Sequence, residues 1–160
     1  MTVTTHPEAE IIVDTELPLV RIIREFDAPA AKVYRAHVDP EIFVKWVGPD
    51  YLTSTADVWD ARTGGSYRFV MSGPDGDHGF NGVFHELREN QLIVQTFSWE
   101  GMPDGVALEK YVFEDLPDGR SRLTTTSLVD SFESRDAFVA SGMEVGVVEG
   151  YNKLDDLLAA

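Results

Sequence analysis

The chain of 160 residues contains no cysteine, and this absence removes several kinds of chemistry. Disulfide bonds, thiolate metal ligands and a cysteine nucleophile are all excluded. The absence is compatible with a reducing compartment, and we predict a cytoplasmic location. No apolar run approaches the roughly 20 residues of a membrane-spanning helix, so no membrane association is expected. The first residues lack a basic, apolar targeting pattern, and residues 1–17 are predicted to form a polar tail.

Basic residues are scarce. The chain has 13 Lys and Arg against 28 Asp and Glu, which gives a formal net charge of -15 at pH 7. Nucleic acids and anionic membrane surfaces are bound through positively charged surfaces, so neither is expected as a partner. The same charge would repel an anionic substrate unless a local basic site overrode it.

Motifs for metals and cofactors are also missing. There is no HExxH sequence, and alternation along one predicted strand places His78 and His85 on opposite faces. His6 falls in the predicted tail, and His37 falls on a predicted short helix, where a structural role is expected. No glycine-rich phosphate loop joins a strand to a helix, and no nucleophile elbow is present. We therefore predict neither a metal site nor a cofactor.

The most informative feature is a C-terminal segment with helical periodicity. Its apolar stripe consists of Met143, Val147, Tyr151, Leu154 and Leu158. Gly142, Gly146 and Gly150 lie along one edge of this stripe. Because each glycine inside a helix costs roughly 0.5–1 kcal/mol relative to alanine, their presence calls for a reason. Two interpretations stay open: close backbone packing, or a helix that forms one wall of a ligand cavity.

The remaining pattern predicts an α+β domain. An apolar strand at residues 19–26 precedes two short helices, AAKVYRAHV and EIFVKW, and six strands with turn signals between them follow from about Thr53. Short connections imply an antiparallel meander. We predict one domain over residues 18–160, in which a curved seven-stranded antiparallel sheet wraps around the long C-terminal helix.

Particular stretches of the chain carry a family resemblance. They are REFDAPAAKVYRAHVDPEIFVKWVGP, DARTGGSYRFVM, NGVFHEL with QLIVQTFSW, EDLPDGRSRLTTTSLV and SGMEVGVVEGYNKLDDLL, which together span roughly residues 20–158. The combination resembles the START-like (SRPBCC, Bet v 1-like helix-grip) superfamily, in particular the branch named for activators of the heat-shock-protein-ninety ATPase. The resemblance implies a helix-grip fold with a cavity between sheet and last helix. Functions in the superfamily range from carriage of hydrophobic ligands to cyclase chemistry and chaperone binding, so fold alone does not decide the function.

The chain departs from many relatives at two places. They carry Trp-Trp-Gly-Pro where this chain has Trp46-Val47-Gly48-Pro49, and Gly-Trp where it has Gly146-Val147. Each change removes an aromatic side chain. We therefore expect a cavity that is roomier, or differently lined, than in those relatives.

Alternation along the strands suggests which side chains face the helix. Tyr67, Phe69 and Met71 share one face of their strand, and this set is large and uniformly apolar. The resemblance adds Trp46 and Tyr51 near the cavity mouth. The predicted ligand-binding residues are Trp46, Tyr51, Tyr67, Phe69, Met71, Phe84, Glu109, Tyr111, Thr125, Met143, Val147 and Tyr151.

Glu109 is the one candidate for catalysis. A carboxylate in an otherwise apolar row would have a raised pKa and could act as a general acid or base. The alternative places it at the solvated end of its strand, near Gly105. Thr125 and Ser127 are interpreted either as polar groups at the same end of the cavity or as ordinary strand residues.

Three functional hypotheses follow. We favour non-catalytic binding of a hydrophobic or aromatic small molecule in the internal cavity. The second is a cofactor-independent cyclase, dehydratase or isomerase that uses Glu109. The third is a protein–protein role, either with a chaperone or as a homodimer.

Overall fold

The computed structural model describes residues 6–160, and within this range it has eight β-strands and four α-helices. The strands are β1 (Glu10–Val13), β2 (Leu19–Phe26), β3 (Thr53–Trp59), β4 (Ser66–Gly73), β5 (Gly76–Arg88), β6 (Leu92–Trp99), β7 (Val106–Asp115) and β8 (Ser121–Leu128). The helices are α1 (Ala30–Val38), α2 (Pro40–Trp46), α3 (Phe132–Ala140) and α4 (Met143–Ala159). None of these helices is long and apolar enough to cross a membrane.

All eight strands of the described range form one curved antiparallel sheet in the order β1-β2-β8-β7-β6-β5-β4-β3. Consecutive strands from β3 to β8 are neighbours, as expected for a meander. The register shifts between Ala56 and Val58 and again between Phe84 and Glu86. Such bulges bend a strand and increase its twist, which helps the sheet to curve around α4.

The strand count corrects the sequence analysis, which predicted seven strands. The additional strand is β1, which pairs with β2 from Glu10 opposite Ile23 to Val13 opposite Val20. The predicted polar tail over residues 1–17 is therefore wrong for residues 10–13, while residues 1–5 lie outside the described residues. A run of only three apolar residues gives no strand pattern by itself, and it becomes a strand because the edge of β2 offers backbone partners.

The C-terminal region holds two further corrections. Helix α3 was not predicted, and α4 begins at Met143, one residue after Gly142. Gly142 has φ 86°, a left-handed conformation that L side chains rarely adopt, and it caps α4 from outside. Only two of the three glycines thus lie inside the helix, and Gly142 serves the turn between α3 and α4.

Gly150 and Gly146 have different environments. A Cβ at Gly150 would lie 3.0 Å from the Trp46 carbonyl oxygen, so the backbones of α4 and of the C-terminal end of α2 touch there. A Cβ at Gly146 would meet Pro49 at 3.5 Å, an ordinary contact. Close packing therefore explains Gly150 and does not explain Gly146.

The sheet and α4 close around a core whose centre is fully buried. Phe26, Val33, Leu123 and Leu154 are each 0% exposed, and they join β2, α1, β8 and the C-terminal half of α4. Arg24 is also buried and ion-paired with Asp155 of α4. Side chains fill the space under this half of α4, while the space under its N-terminal half is open.

Candidate ligand-binding site

A cavity of about 390 Å³ lies between the N-terminal half of α4, the segment from α2 to β3, and the inner face of strands β4 to β7. This volume is within the range of about 300–1,000 Å³ that small-molecule sites occupy. The lining of the cavity from α4 extends from Met143 to Tyr151 and so ends next to Gly150, where the helix backbone makes close contact with Trp46 and Gly48.

The sheet side of the cavity is apolar and largely aromatic. Tyr67, Phe69 and Met71 on β4 face inward and are 3%, 2% and 8% exposed. Phe69 stacks on Phe80 of β5, with ring centroids 5.2 Å apart, and Phe80 stacks in turn on Phe97 of β6 at 5.4 Å. These rings form a continuous surface on which a flat ligand can lie.

The helix side carries the other predicted residues. Met143, Val147 and Tyr151 of α4 line the cavity. Trp46 also lines it, stacks on Tyr151 at 5.9 Å and is buried rather than placed at the mouth. Tyr51 is 65% exposed, which places it at the opening.

Two predicted residues do not line the cavity. Phe84 is 1% exposed and packs behind it, against Trp59 and Tyr67. Thr125 is buried beside the Tyr151 hydroxyl group. Alternation placed both on the inner face, but an inner-face residue reaches the cavity only where no other side chain covers it.

Four polar side chains of the cavity form one network, which we call the Glu109 cluster: Tyr67, Gln95, Glu109 and Tyr111. The Tyr111 hydroxyl group donates to Glu109 Oε1 at 2.9 Å, and Gln95 Nε2 donates to the same oxygen at 3.1 Å. Gln95 Nε2 also lies 3.3 Å from the Tyr67 oxygen, while the Tyr67 hydroxyl group donates to the Thr96 carbonyl oxygen at 2.5 Å. Glu109 thus lies in the cavity wall rather than at a solvated strand end.

Burial dominates the protonation of this cluster. It raises the pKa of Glu109, although hydrogen bonds from Tyr111, Gln95 and Ser127 act in the opposite direction. Burial also raises the pKa of Tyr67 and Tyr111, and the charge on Glu109 raises both further. The tyrosine hydroxyl groups therefore keep their protons at neutral pH, and the carboxyl group of Glu109 binds a proton more readily than it would in water.

His37 lines the cavity from α1 and is 6% exposed. Its Nδ1 lies 2.7 Å from the Val33 carbonyl oxygen, to which the neutral ring donates, and its Nε2 has no hydrogen-bond partner among the described residues. Burial among Trp46, Tyr111 and Phe113 lowers the pKa of His37 to about 4, from the ordinary 6.5. The ring is therefore neutral at physiological pH, and Nε2 is an unpaired acceptor.

We expect His37 to make the protein sensitive to acid. Between pH 6.5 and about 4 the unfolded chain binds a proton at this residue and the folded chain does not, so the contribution to stability is complete above pH 6.5 and is lost as the pH falls towards 4. The loss amounts to about 3 kcal/mol in the free energy of unfolding. Urea unfolding of the wild type and His37→Gln at several pH values measures it as a difference. Parallel pH profiles for the two proteins would contradict the prediction.

Sequence reasoning missed part of the site. Ile93, Gln95 and Phe97 alternate along β6 and all line the cavity, so face assignment on that strand would have found the amide of the Glu109 cluster. Phe138 and Ser141 enter from α3 and from the turn after it, and no periodic signal indicated that these elements close the cavity.

Fold and cavity together define a helix-grip protein. The chain belongs to the family described as Activator of Hsp90 ATPase homolog 1-like protein, which matches residues 27–159. The resemblance stated from the sequence is therefore confirmed. Among curated proteins, no sequence matches this chain significantly.

Solved structures agree on the fold. Protein Ms6760 from Mycobacterium smegmatis is 24% identical, with a TM-score of 0.85 over 94% of this chain and 97% of that one. A protein from Arthrobacter aurescens is 26% identical, with a TM-score of 0.85 over 94% of this chain and 91% of the other. DynU16, from the dynemicin biosynthetic locus, is 18% identical, with a TM-score of 0.67, and only 48% of its chain is covered.

Proposed function

We propose that this protein binds a hydrophobic or aromatic small molecule in the cavity under α4, without catalysing a reaction. The observation that carries the proposal is the cavity itself, about 390 Å³ in volume and lined mostly by aromatic and aliphatic side chains around one polar cluster. Apolar walls supply affinity, and a few fixed polar groups orient the ligand. Cytoplasmic location, the absence of nucleic-acid partners and a homodimer stay predictions.

A substitution that fills the cavity tests this proposal. Val147 lines the cavity at the position where many relatives have tryptophan. We therefore expect the fold to accommodate the larger side chain in the variant Val147→Trp. We expect it to weaken binding of a neutral aromatic probe, 2-methoxynaphthalene, by at least about tenfold, because the indole occupies the ligand's volume. Isothermal titration or probe fluorescence measures the change.

Val148→Trp is the matched control for this test. Val148 follows directly in α4, is 36% exposed and does not line the cavity. We expect this variant to bind the probe as the wild type does. Equal binding to Val147→Trp and the wild type would show that the probe does not use the cavity. Native mass spectrometry of protein purified from its own host would then give the mass of the natural ligand.

The position of Glu109 favours one alternative function, a cofactor-independent cyclase, dehydratase or isomerase. A carboxyl group with a raised pKa, held by Tyr111 and Gln95, is a competent general acid or base for a bound carbonyl compound. Glu109→Gln distinguishes the two functions. If the protein only binds its ligand, both the wild type and Glu109→Gln release that ligand chemically unchanged. If the protein is an enzyme, the wild type converts its substrate, and Glu109→Gln loses turnover while it keeps substrate affinity.

The family name favours another alternative, association with an ATPase chaperone. The measurement is the ATPase rate of a host chaperone with and without this protein. Stimulation that persists in Val147→Trp would assign a role to the surface rather than to the cavity.

A further inference from the structure

The hydrogen-bond donors and acceptors of the Glu109 cluster that are already paired within the protein indicate what kind of ligand the cavity accepts. The Tyr67 and Tyr111 hydroxyl groups both donate within the protein, to Thr96 and to Glu109. The Gln95 amide directs its donor nitrogen at Tyr67 and Glu109. Every side-chain donor of the cluster is therefore engaged.

The indole donors of the cavity are engaged in the same way. Trp46 Nε1 donates to the Ala36 carbonyl oxygen at 2.9 Å, and Trp59 Nε1 donates to the Val38 carbonyl oxygen at 2.8 Å. Both indole donors are therefore paired with backbone carbonyl groups of α1. A ligand that offers only acceptors finds no free donor on these groups or in the Glu109 cluster.

The open positions on the Glu109 cluster and on His37 are acceptors. Gln95 Oε1 has no hydrogen-bond partner among the described residues, and Gln95 is half-buried in the cavity wall. Glu109 Oε1 accepts from Tyr111 and Gln95, and a carboxylate has about four acceptor positions, so Glu109 keeps acceptor positions open. His37 adds Nε2, a buried acceptor without a partner in the described chain.

Charge restricts the ligand further. Among the described residues that line the cavity there is no lysine or arginine. The negative charge of a carboxylate or phosphate group on a ligand would therefore have no basic side chain to pair with there. An anionic ligand would instead face Glu109, in a chain whose formal net charge is -15. Desolvating an unpaired anion next to another carboxylate is strongly unfavourable.

We propose that the cavity selects an uncharged aromatic ligand that carries a hydroxyl group, and that Gln95 and Glu109 accept the hydrogen bond from that group. This inference rests on the proposed function, because it names the class of ligand for the same cavity. The stacked rings of Phe69, Phe80 and Phe97 hold the body of the ligand, while the cluster fixes its hydroxyl end.

The test uses three probes of one shape with the full chain: 2-naphthol, 2-methoxynaphthalene and 2-naphthoate. They present a hydroxyl donor, an acceptor only, and an anion. Gln95→Met keeps the length of the side chain and removes its open acceptor. We expect this variant to bind 2-naphthol about tenfold more weakly and 2-methoxynaphthalene within about twofold of the wild type. The naphthoate should bind most weakly to the wild type.

Phe97→Leu is the matched control, since Phe97 lines the cavity from the same strand and has no polar atom. This variant should weaken the binding of 2-naphthol and of 2-methoxynaphthalene by the same factor. Circular dichroism of both variants checks that each is folded.

Each outcome of this test decides something. A selective loss of 2-naphthol in Gln95→Met supports the inference. Equal weakening of both neutral probes in Gln95→Met, or naphthoate as the tightest ligand of the wild type, overturns it and leaves the proposed function standing. Failure of all three probes to bind the wild type, up to their solubility limits, rejects both.

Discussion

Replacing Asp155 by asparagine should lower the free energy of unfolding by about 3 kcal/mol, because it leaves a buried guanidinium group without a counter-charge. Arg24 is 1% exposed and ion-paired with Asp155, whose side chain is 13% exposed. The other hydrogen-bond acceptors of the Arg24 guanidinium group are the Glu25 carbonyl oxygen and Asn152 Oδ1, and both are uncharged. Urea unfolding at neutral pH measures the loss.

Two further variants make this prediction specific. Glu86→Gln removes the carboxylate of an ion pair whose side chains are 59% and 39% exposed, and it should cost less than about 1 kcal/mol. The double variant Arg24→Met/Asp155→Leu removes both buried charges together and should recover most of the stability lost in Asp155→Asn. If Asp155→Asn and Glu86→Gln lower the free energy of unfolding by the same amount, burial does not explain the contribution of the Arg24–Asp155 ion pair to stability.

Gly82→Ala should destabilise the protein by about 3 kcal/mol or more, through a clash between β5 and β6. A Cβ at this position would lie 2.0 Å from the Thr96 carbonyl oxygen and 2.6 Å from the Tyr67 hydroxyl oxygen. The first neighbour is backbone and cannot move alone. The second neighbour donates to that same carbonyl oxygen, so the substitution would also break a part-buried hydrogen bond of the Glu109 cluster.

Gly79→Ala in the same strand separates this clash from the general effect of adding a methyl group. Its Cβ would meet the ends of two long side chains, Glu100 and Arg68, which can move aside. We expect a cost below about 1 kcal/mol, measured by thermal and urea unfolding of both variants. Similar losses for Gly79→Ala and Gly82→Ala would contradict the backbone clash.

The sequence pattern predicted burial correctly where only one orientation of an element keeps its apolar side chains out of water. Tyr67, Phe69 and Met71 had to face the helix, because the opposite orientation would place three large apolar side chains in water, and all three are buried. Tyr151 and Leu154 are buried on α4 for the same reason. Periodicity reports which face of an element is apolar, and burial follows from that.

Pattern reasoning failed where a residue's environment is set by another part of the chain. Val13 and its neighbours form a strand only because β2 has a free edge, and four residues are too few to show a strand pattern by themselves. Gly142 lies at helical spacing from the two glycines that follow, yet its left-handed backbone places it outside that helix, which begins at the next residue. Local spacing does not distinguish a glycine inside a helix from one that caps it.

The sequence by itself determined the fold class, the acidic charge and the apolar face of each long element, since composition and periodicity decide these locally. The family was indicated by the resemblance that particular sequence stretches carry, and not by composition or periodicity. Only the tertiary structure decided that Glu109 meets Gln95 and Tyr111, that α3 closes the cavity and that Phe84 lies behind its wall. The physical reason is that a cavity is the space between elements. Its depth and its polar end depend on how far the sheet curves and where α4 makes close contact, and no single segment encodes either.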